Sequence, residues 1–217
     1  MRVRVKICGI TTVEDGLAAA EAGADAVGLN FAEGPRLIDG GTARAIVAAL
    51  PPYVTPVALF VNADASRIVE TCARVGVSAV QLSGDEPPDL IAALAPLRAL
   101  RAFRVSREDD LAAVSAYLDA CPAACRPSAV LLDARVAGMH GGTGRSFDWT
   151  LAAKASDLAR VVLAGGLGPD NVAEAIRTCR PWAVDTSSRL ESSPGRKDAR
   201  LMTAFVAAVR EAERQTE

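Results

Sequence analysis

The stretch that decides the fold lies at residues 161–189 and reads VVLAGGL over 161–167, NVAEAI over 171–176 and AVDTSS over 183–188. Two apolar runs flank a helix-like segment, which predicts a buried strand, a glycine turn, a helix and a second short strand. Glycine lets backbone N–H groups approach an anion closely, and a helix start adds partial positive charge. Two such turns side by side predict a phosphate cradle, although Gly and Ser also occur in ordinary strand–helix turns.

Strand-like and helix-like segments alternate along the rest of the chain. The remaining predicted strands cover residues 3–7, 26–31, 57–61, 78–82, 100–105 and 129–133. A capping box at 11–14 starts the first predicted helix, and later helices are predicted at 42–50, 65–75, 88–95, 109–118, 147–155 and 197–213. Eight strand–helix units favour a closed (βα)8 TIM barrel over an open doubly wound sheet, which usually has fewer strands. No linker-like change in composition occurs, so we predict one domain over residues 1–217.

The composition limits the classes of function. Of the 217 residues 50% are hydrophobic but only 4% are aromatic, which predicts a sizeable aliphatic core. The net charge is −2 and no basic, aromatic-interleaved patch occurs, so nucleic-acid binding is not expected. The apolar runs have strand length and no signal peptide is recognisable, which predicts a cytoplasmic protein without a membrane partner.

The cysteine pattern argues against both disulfides and a metal site. The five cysteines are odd in number and irregularly spaced, which is not typical of a disulfide framework. Cys121 and Cys125 resemble half of a zinc site, but the chain has one histidine, His140, and no second Cys pair. We therefore expect no metal, and we expect His140 to be a solvated loop residue.

Functional residues of a (βα)8 barrel lie at the carboxyl ends of its strands. Cys8 follows the first predicted strand and Asp133 ends the sixth, and a thiolate with a carboxylic acid forms a candidate acid/base pair. Gly9 and a helix start follow Cys8, a setting that favours the thiolate. The alternatives are structural, because a free Cys is usually a small buried hydrophobe and Asp is common as a cap.

Several short motifs occur in a fixed order along the chain. They are KICGI at 6–10, QLSGDE at 81–86, GGTG at 141–144 with FDW at 147–149, LAGGL at 163–167 with NV at 171–172, VDTSS at 184–188 and PGRKD at 194–198. Each motif alone is weak, but together and at this spacing they are highly specific. Over nearly its whole length, the chain resembles the phosphoribosylanthranilate isomerases of tryptophan biosynthesis.

The resemblance implies a single-domain (βα)8 barrel that acts on a small phosphorylated substrate without a cofactor. It implies an Amadori rearrangement of N-(5-phosphoribosyl)anthranilate, in which Asp133 is the general acid that opens the ribose ring and Cys8 is the general base. Arg36 matches the family's arginine for the anthranilate carboxylate, and a guanidinium fits a carboxylate through two parallel hydrogen bonds.

The resemblance also assigns the other site residues. The residues expected to bind substrate are Gln81, Ser83, Gly142 and Asp185, the last of them near the sugar hydroxyls. The residues expected to bind phosphate are Gly165, Gly166, Ser187, Ser188 and Arg189. The glycine-rich loop at 141–144 is expected to fold over the substrate, or else to be a flexible connection. The sequence leaves both a monomer and a homodimer open.

Two positions depart from the family pattern. Ser83 stands where the family usually has His. This change concerns substrate positioning or the range of substrates accepted, rather than the acid/base pair. Arg189 stands where the family has Gly in the phosphate loop. If position 189 requires φ > 0, Arg there costs about 1 kcal/mol or more of backbone strain. If the loop has adjusted, the guanidinium is available to bind the phosphate directly.

Two alternative functions stay open. A related sugar-phosphate isomerase of histidine synthesis would use two aspartates, and Cys8 on the first strand argues against it. A barrel that binds a phosphorylated metabolite without turning it over, as a regulator or assembly subunit, is consistent with the departures at Ser83 and Arg189.

Overall fold

Eight parallel strands form a closed barrel, as a computed structural model of residues 2–122, 125–133 and 149–215 shows. The barrel strands are β1 (Arg4–Cys8), β2 (Ala26–Asn30), β3 (Thr55–Phe60), β4 (Ala79–Leu82), β5 (Arg98–Arg104), β6 (Ala129–Asp133), β7 (Val161–Ala164) and β8 (Ala183–Thr186). The helices are α1 (Val13–Glu21), α2 (Gly40–Ala49), α3 (Ala65–Val75), α4 (Leu90–Ala93), α5 (Asp109–Ala120), α6 (Thr150–Ala155), α7 (Val172–Cys179) and α8 (Ala199–Arg214). The predicted (βα)8 barrel is confirmed, and the open sheet is excluded because β1 pairs with β8.

Two apolar layers hold the fold together. The smaller layer fills the inside of the barrel with Ala129, Leu131, Val162, Ala164 and Ala183. The larger layer lies between the strands and the helices, and its fully buried side chains include Phe60 and Phe205. Because both faces of a parallel strand are covered, the strands read as apolar runs rather than as alternating patterns.

Helix α3 shows how local sequence sets an element. The Asp64 carboxylate accepts the backbone N–H of Arg67 at 2.7 Å and so caps the first turn. Gly76 ends the helix in the left-handed conformation at φ 84°. Ile68 and Val75 lie on its buried face. The observed bounds match the predicted helix at 65–75.

Several predicted bounds differ from the structure by a few residues, and three of the differences, all in helices, have a local explanation. The first helix is capped by Thr12, whose hydroxyl accepts the N–H of Asp15 at 3.1 Å, rather than by a box beginning at Thr11. The helix predicted at 88–95 shortens to α4, next to Pro87 and Pro88. The final helix begins at Ala199 rather than at 197, because the Asp198 carboxylate caps it.

A short antiparallel hairpin, formed by β9 (Glu191–Ser193) and β10 (Arg196–Lys197), was not predicted. It follows a 3-10 turn at Ser188–Leu190 and so extends the loop after β8. The Thr11 hydroxyl donates to the Gly195 carbonyl at 2.6 Å, which holds the hairpin against the loop after β1. None of the helices in the described part of the chain has the length and apolar composition that crossing a membrane requires.

Candidate active site

The carboxyl ends of the strands surround a cavity of about 710 Å³. Its lining includes every predicted site residue that the structure describes: Cys8, Arg36, Gln81, Ser83, Asp133, Gly165, Gly166, Asp185, Ser187, Ser188 and Arg189. Gly142 and His140 lie outside the described residues, as does the whole loop at 141–144. The barrel topology therefore brings together residues that are far apart in the sequence.

Cys8 ends β1, and its thiol occupies space that β2 leaves free. Gly28 is the partner of Cys8 in the ladder between the two strands. A Cβ atom on Gly28 would lie 2.5 Å from the Cys8 Sγ atom, well inside van der Waals contact. The absence of a side chain on Gly28 therefore sets the position of the thiol.

A buried ion pair lies on the same inward face of β1, two residues before Cys8. The Lys6 Nζ donates to the Asp185 Oδ1 at 2.9 Å, and Lys6 and Asp185 are partners in the ladder that closes the barrel. Burial lowers the pKa of Lys6, but Asp185 and, to a smaller extent, Cys8 together more than offset this, so the pKa of Lys6 is raised. The ion pair thus places a permanent positive charge near the thiol.

The ionisation of Cys8 differs from the prediction. Burial raises the pKa of the Cys8 thiol, while the positive charges of Lys6 and Lys197 oppose this shift only in part. The expectation that a helix start favours the thiolate is wrong in direction. The helix begins only at Val13, and desolvation of the charged form outweighs the nearby cations.

Asp133 ends β6 and is half-buried. It pairs with Ala164 of β7, so only β7 and β8 separate it from the strand that carries Cys8. Burial raises the pKa of the Asp185 carboxyl, and the neighbouring carboxyl of Asp133 raises it further. The acid and the base predicted from the sequence therefore lie in one electrostatic neighbourhood.

Arg36 is engaged by a carboxylate of the chain itself, which the sequence did not predict. Its Nε and Nη2 donate to the two carboxylate oxygens of Glu191, both at 2.7 Å. The Glu191 Oε1 also accepts from Lys197 Nζ at 2.8 Å. Although burial raises the pKa of Glu191, these hydrogen bonds bring it down to about 2. The guanidinium edge formed by Nε and Nη2 is therefore already occupied.

Gln81 and Ser83 meet on the wall formed by β4. The Gln81 Nε2 donates to the Ser83 Oγ at 3.1 Å. The Gln81 Oε1 is buried and has no hydrogen-bond partner among the described residues. Since a buried amide oxygen without a partner is costly, this oxygen is a candidate acceptor for a bound ligand.

The turns after β7 and β8 have the geometry of an anion cradle. Gly165 and Gly166 have φ of 97° and 71°, a conformation that disfavours other residues. Within the described part of the chain, the backbone N–H groups of these glycines and of Ser187 and Ser188 donate no hydrogen bond. Free N–H groups that converge on a cavity are typical of phosphate sites.

Arg189 bridges the same two turns. It lies in the 3-10 turn and is not among the described non-glycine residues with positive φ, so the strain considered from the sequence is absent. Its Nη2 donates to the Asp170 carboxylate at 2.6 Å, in an ion pair that is largely exposed. The side chain also lines the cavity and lies over Gly168, where a Cβ would be 2.9 Å from Nε.

Sequence reasoning missed four residues of the site: Lys6, Asp170, Glu191 and Lys197. Lys6 carried a usable signal, since a lysine at an inward position two residues before Cys8 needs a buried partner. The segment 191–197 contributed only to a family motif, PGRKD at 194–198, and gave no sign of the contacts of Glu191 or Lys197, because Ser, Pro and Gly predict a loop. Groups of His, Cys, Asp or Glu arranged to hold a metal ion do not occur among the described residues.

We predict that Gly28→Ala lowers the free energy of unfolding by about 1–3 kcal/mol, because its methyl group displaces the Cys8 thiol. Gly40→Ala is the matched control, since a Cβ there meets its nearest neighbour at an ordinary 3.5 Å. Urea unfolding of both variants measures the difference. Equal stability of the two variants would contradict the packing argument.

We also predict the pH dependence of Cys8 reactivity. Because its pKa is raised, the thiolate fraction should increase with pH without a plateau through the ordinary thiol range. Alkylation of Cys8 by iodoacetamide should therefore accelerate about tenfold per pH unit between about pH 7 and about pH 9. Peptide-resolved mass spectrometry separates Cys8 from the other cysteines. A plateau below about pH 8 would show that Lys6 and Lys197 lower the pKa of Cys8 by more than burial raises it.

Known proteins resemble this chain over almost its full length. The sequence model of N-(5'phosphoribosyl)anthranilate (PRA) isomerase matches residues 5–208. An N-(5'-phosphoribosyl)anthranilate isomerase of Acidithiobacillus ferrooxidans is 49% identical over 211 residues, covering 96% of this chain and 98% of that protein. The phosphoribosylanthranilate isomerase structure from Thermotoga maritima is 40% identical with a TM-score of 0.87, covering 97% of this chain and 100% of that one.

A further solved isomerase is in complex with reduced 1-(o-carboxyphenylamino)-1-deoxyribulose 5-phosphate. It is 39% identical with a TM-score of 0.84, covering 97% of this chain and 100% of that one. These relatives support neither the histidine-pathway isomerase nor the non-catalytic binder. This chain belongs to the N-(5'-phosphoribosyl)anthranilate isomerase family.

Proposed function

We propose that the chain converts N-(5-phosphoribosyl)anthranilate to 1-(2-carboxyphenylamino)-1-deoxyribulose 5-phosphate in tryptophan biosynthesis. The observation that carries this proposal is the shared cavity: Cys8 and Asp133 both line it, together with a glycine cradle and Arg36. A substrate with a phosphate at one end and an aromatic carboxylate at the other requires this combination of groups.

The first step opens the ribose ring. Asp133 gives a proton to the ring oxygen, the bond between C1 and that oxygen breaks, and the nitrogen lone pair forms a C1=N iminium. A carboxylic acid at the end of β6 suits this role because a protonated oxygen leaves far more readily than an alkoxide. The half-buried position of Asp133 lets its side chain reach a ligand in the cavity.

The second step moves a proton from carbon. The iminium acidifies the C2–H bond, the Cys8 thiolate accepts that proton, and the electrons shift to give an enol-amine. The C2 hydroxyl then loses its proton while C1 gains one, which yields the ketone. No electrons enter or leave, so two side chains that transfer protons are sufficient for the balanced reaction.

The electrostatics of the site support Cys8 as the base despite its raised pKa. Lys6 and Lys197 both favour the thiolate. The positive iminium adds a third favourable charge at the step in which the thiolate is needed. Before substrate binds, the raised pKa favours the neutral thiol. Cys8 therefore releases its proton to solvent as the iminium forms, and the resulting thiolate takes the C2 proton in its place.

The two ends of the substrate have different partners in this proposal. The N–H groups of Gly165, Gly166, Ser187 and Ser188 receive the phosphate, and Arg189 approaches it from the rim. Arg36 binds the anthranilate carboxylate. Asp185 contacts sugar hydroxyls through the oxygen that Lys6 leaves free, and Gln81 and Ser83 contact the substrate from β4.

We further infer a single domain over residues 1–217 and a cytoplasmic location, in keeping with a biosynthetic isomerase. Monomer and homodimer are both compatible with the proposal, since all of the proposed residues come from one barrel. Gly142 keeps its predicted role toward substrate, although it lies outside the described residues.

Loss of either proton-transfer group should abolish most turnover. Cys8→Ala and Asp133→Asn should each lower kcat by about 100-fold or more, because each removes a positioned acid or base. The assay follows the fluorescence of enzymatically generated phosphoribosylanthranilate as it is consumed. Cys72→Ala is the matched control, since Cys72 is buried in α3 away from the cavity and its loss should leave kcat nearly unchanged. Near-normal turnover in either site variant would reject its assigned role.

Arg189→Gly tests whether the Arg189 guanidinium binds the phosphate of the substrate. If the guanidinium turns from Asp170 to the phosphate when substrate binds, its loss should raise KM by about 3- to 10-fold with little change in kcat. Asp170→Asn, which releases Arg189 without removing it, should leave KM unchanged or lower it. A KM for Arg189→Gly at or below that of the parent chain would rule out a phosphate contact.

A further inference from the structure

The Glu191 carboxylate joins Arg36, which lines the cavity, to Lys197 in the hairpin after β8. Glu191 starts β9, whereas Arg36 lies in the connection between β2 and α2, 155 residues earlier. Lys197, its ladder partner on β10, also donates to the Ser187 carbonyl at 3.2 Å. The Glu191 side chain is only 4% exposed and that of Lys197 is fully buried.

The hydrogen bonds of Glu191 determine which part of Arg36 remains available. A guanidinium has five N–H donors, and Glu191 uses the Nε donor and one of the two on Nη2. The edge that joins Nη1 and Nη2 keeps its donors, and no partner for Nη1 is found within the described residues. Arg36 itself lines the cavity. A ligand carboxylate can therefore meet only this end-on edge.

Packing restricts Arg36 from the opposite side. A Cβ on Gly9 would lie 2.3 Å from the Arg36 Cδ, so the arginine stem lies directly against the Gly9 backbone. With the stem against Gly9 and one edge bound to Glu191, little rotamer freedom is left to the side chain. The charges also matter, because one carboxylate between two cations leaves a net charge of about +1 for an incoming anion.

We propose that Glu191 is a positioning residue that orients Arg36 so that the end-on edge of its guanidinium selects the aromatic carboxylate of the substrate. The inference rests on the proposed role of Arg36. Glu191 does not touch the substrate and acts through the arginine. Glu191 thus provides specificity for carboxylate-bearing ligands. Lys197 adds a third hydrogen bond, beside the two from Arg36, that holds the Glu191 carboxylate in place.

The test compares two inhibitors that differ by one group. One is reduced 1-(o-carboxyphenylamino)-1-deoxyribulose 5-phosphate, and the other is the same compound without the carboxyl group. In the parent chain the carboxylated compound should bind at least about tenfold more tightly. The selectivity ratio is the inhibition constant of the carboxyl-free compound divided by that of the carboxylated one. In Glu191→Gln this ratio should fall to about two or less, while the inhibition constant of the carboxyl-free compound stays within about twofold of the parent value.

Two further variants separate the possible outcomes. Arg36→Met should abolish the ratio by itself. Glu86→Gln is the control, because it removes another buried carboxylate that accepts the N–H groups of Asn62 and Gly84 and lies 3.6 Å from Arg101. It should lower stability without changing the ratio. If Glu191→Gln does not fold by circular dichroism, Glu191→Asp keeps the negative charge but shortens the side chain by one methylene. The carboxylate can then no longer match both Arg36 donors in their present positions, so the same loss of selectivity is expected.

The results that overturn the inference are distinct from those that overturn the role of Arg36. A parent-like ratio in Glu191→Gln, together with a lost ratio in Arg36→Met, would reject Glu191 as the positioning residue and leave Arg36 in place. Equal weakening of both inhibitors in Glu191→Gln would show a purely structural role and also reject the inference. A ratio near one in the parent chain would reject the carboxylate contact of Arg36, and the inference with it.

Discussion

The pairing of β1 with β8 is the constraint on which the rest of the site depends. It places Lys6 opposite Asp185 inside the barrel, where neither side chain has access to much water. Removing one partner of such a pair typically costs about 3–5 kcal/mol, because an unpaired buried charge remains. Since Cys8 follows Lys6 by two residues on the same face of β1, closure of the barrel also sets the depth of the thiol.

The cavity is surrounded by cations, and several of them are paired with carboxylates of the chain. Lys6 pairs with Asp185, Arg36 and Lys197 share Glu191, and Arg189 pairs with Asp170. Because burying an unpaired charge is costly, this pairing lets the barrel keep positive groups near an anionic substrate. The pairs differ in exposure, so the rim pair of Arg189 can exchange partners more readily than the buried ones.

The alternation of strands and helices was predictable because apolar residues form short continuous runs in the buried strands and recur about every 3.6 residues in the helices. The predicted bounds of α3 are confirmed, and the structure shows that their causes are local: Asp64 caps the helix start and Gly76 ends it. The positions of Cys8 and Asp133 at strand ends followed from the same pattern. The hairpin of β9 and β10 was missed because its strands are short and polar, and its stability comes from contacts with other loops.

The sequence by itself determined the barrel, its core and the identity of the groups at the strand ends, because periodicity and turn residues act over a few neighbouring positions. Only the tertiary structure decided how those groups are charged and oriented. The bond between Lys6 and Asp185 spans 179 positions, and that between Arg36 and Glu191 spans 155. The raised pKa of Cys8 and the occupied edge of Arg36 arise from desolvation and long-range contacts, which exist only once the barrel has closed.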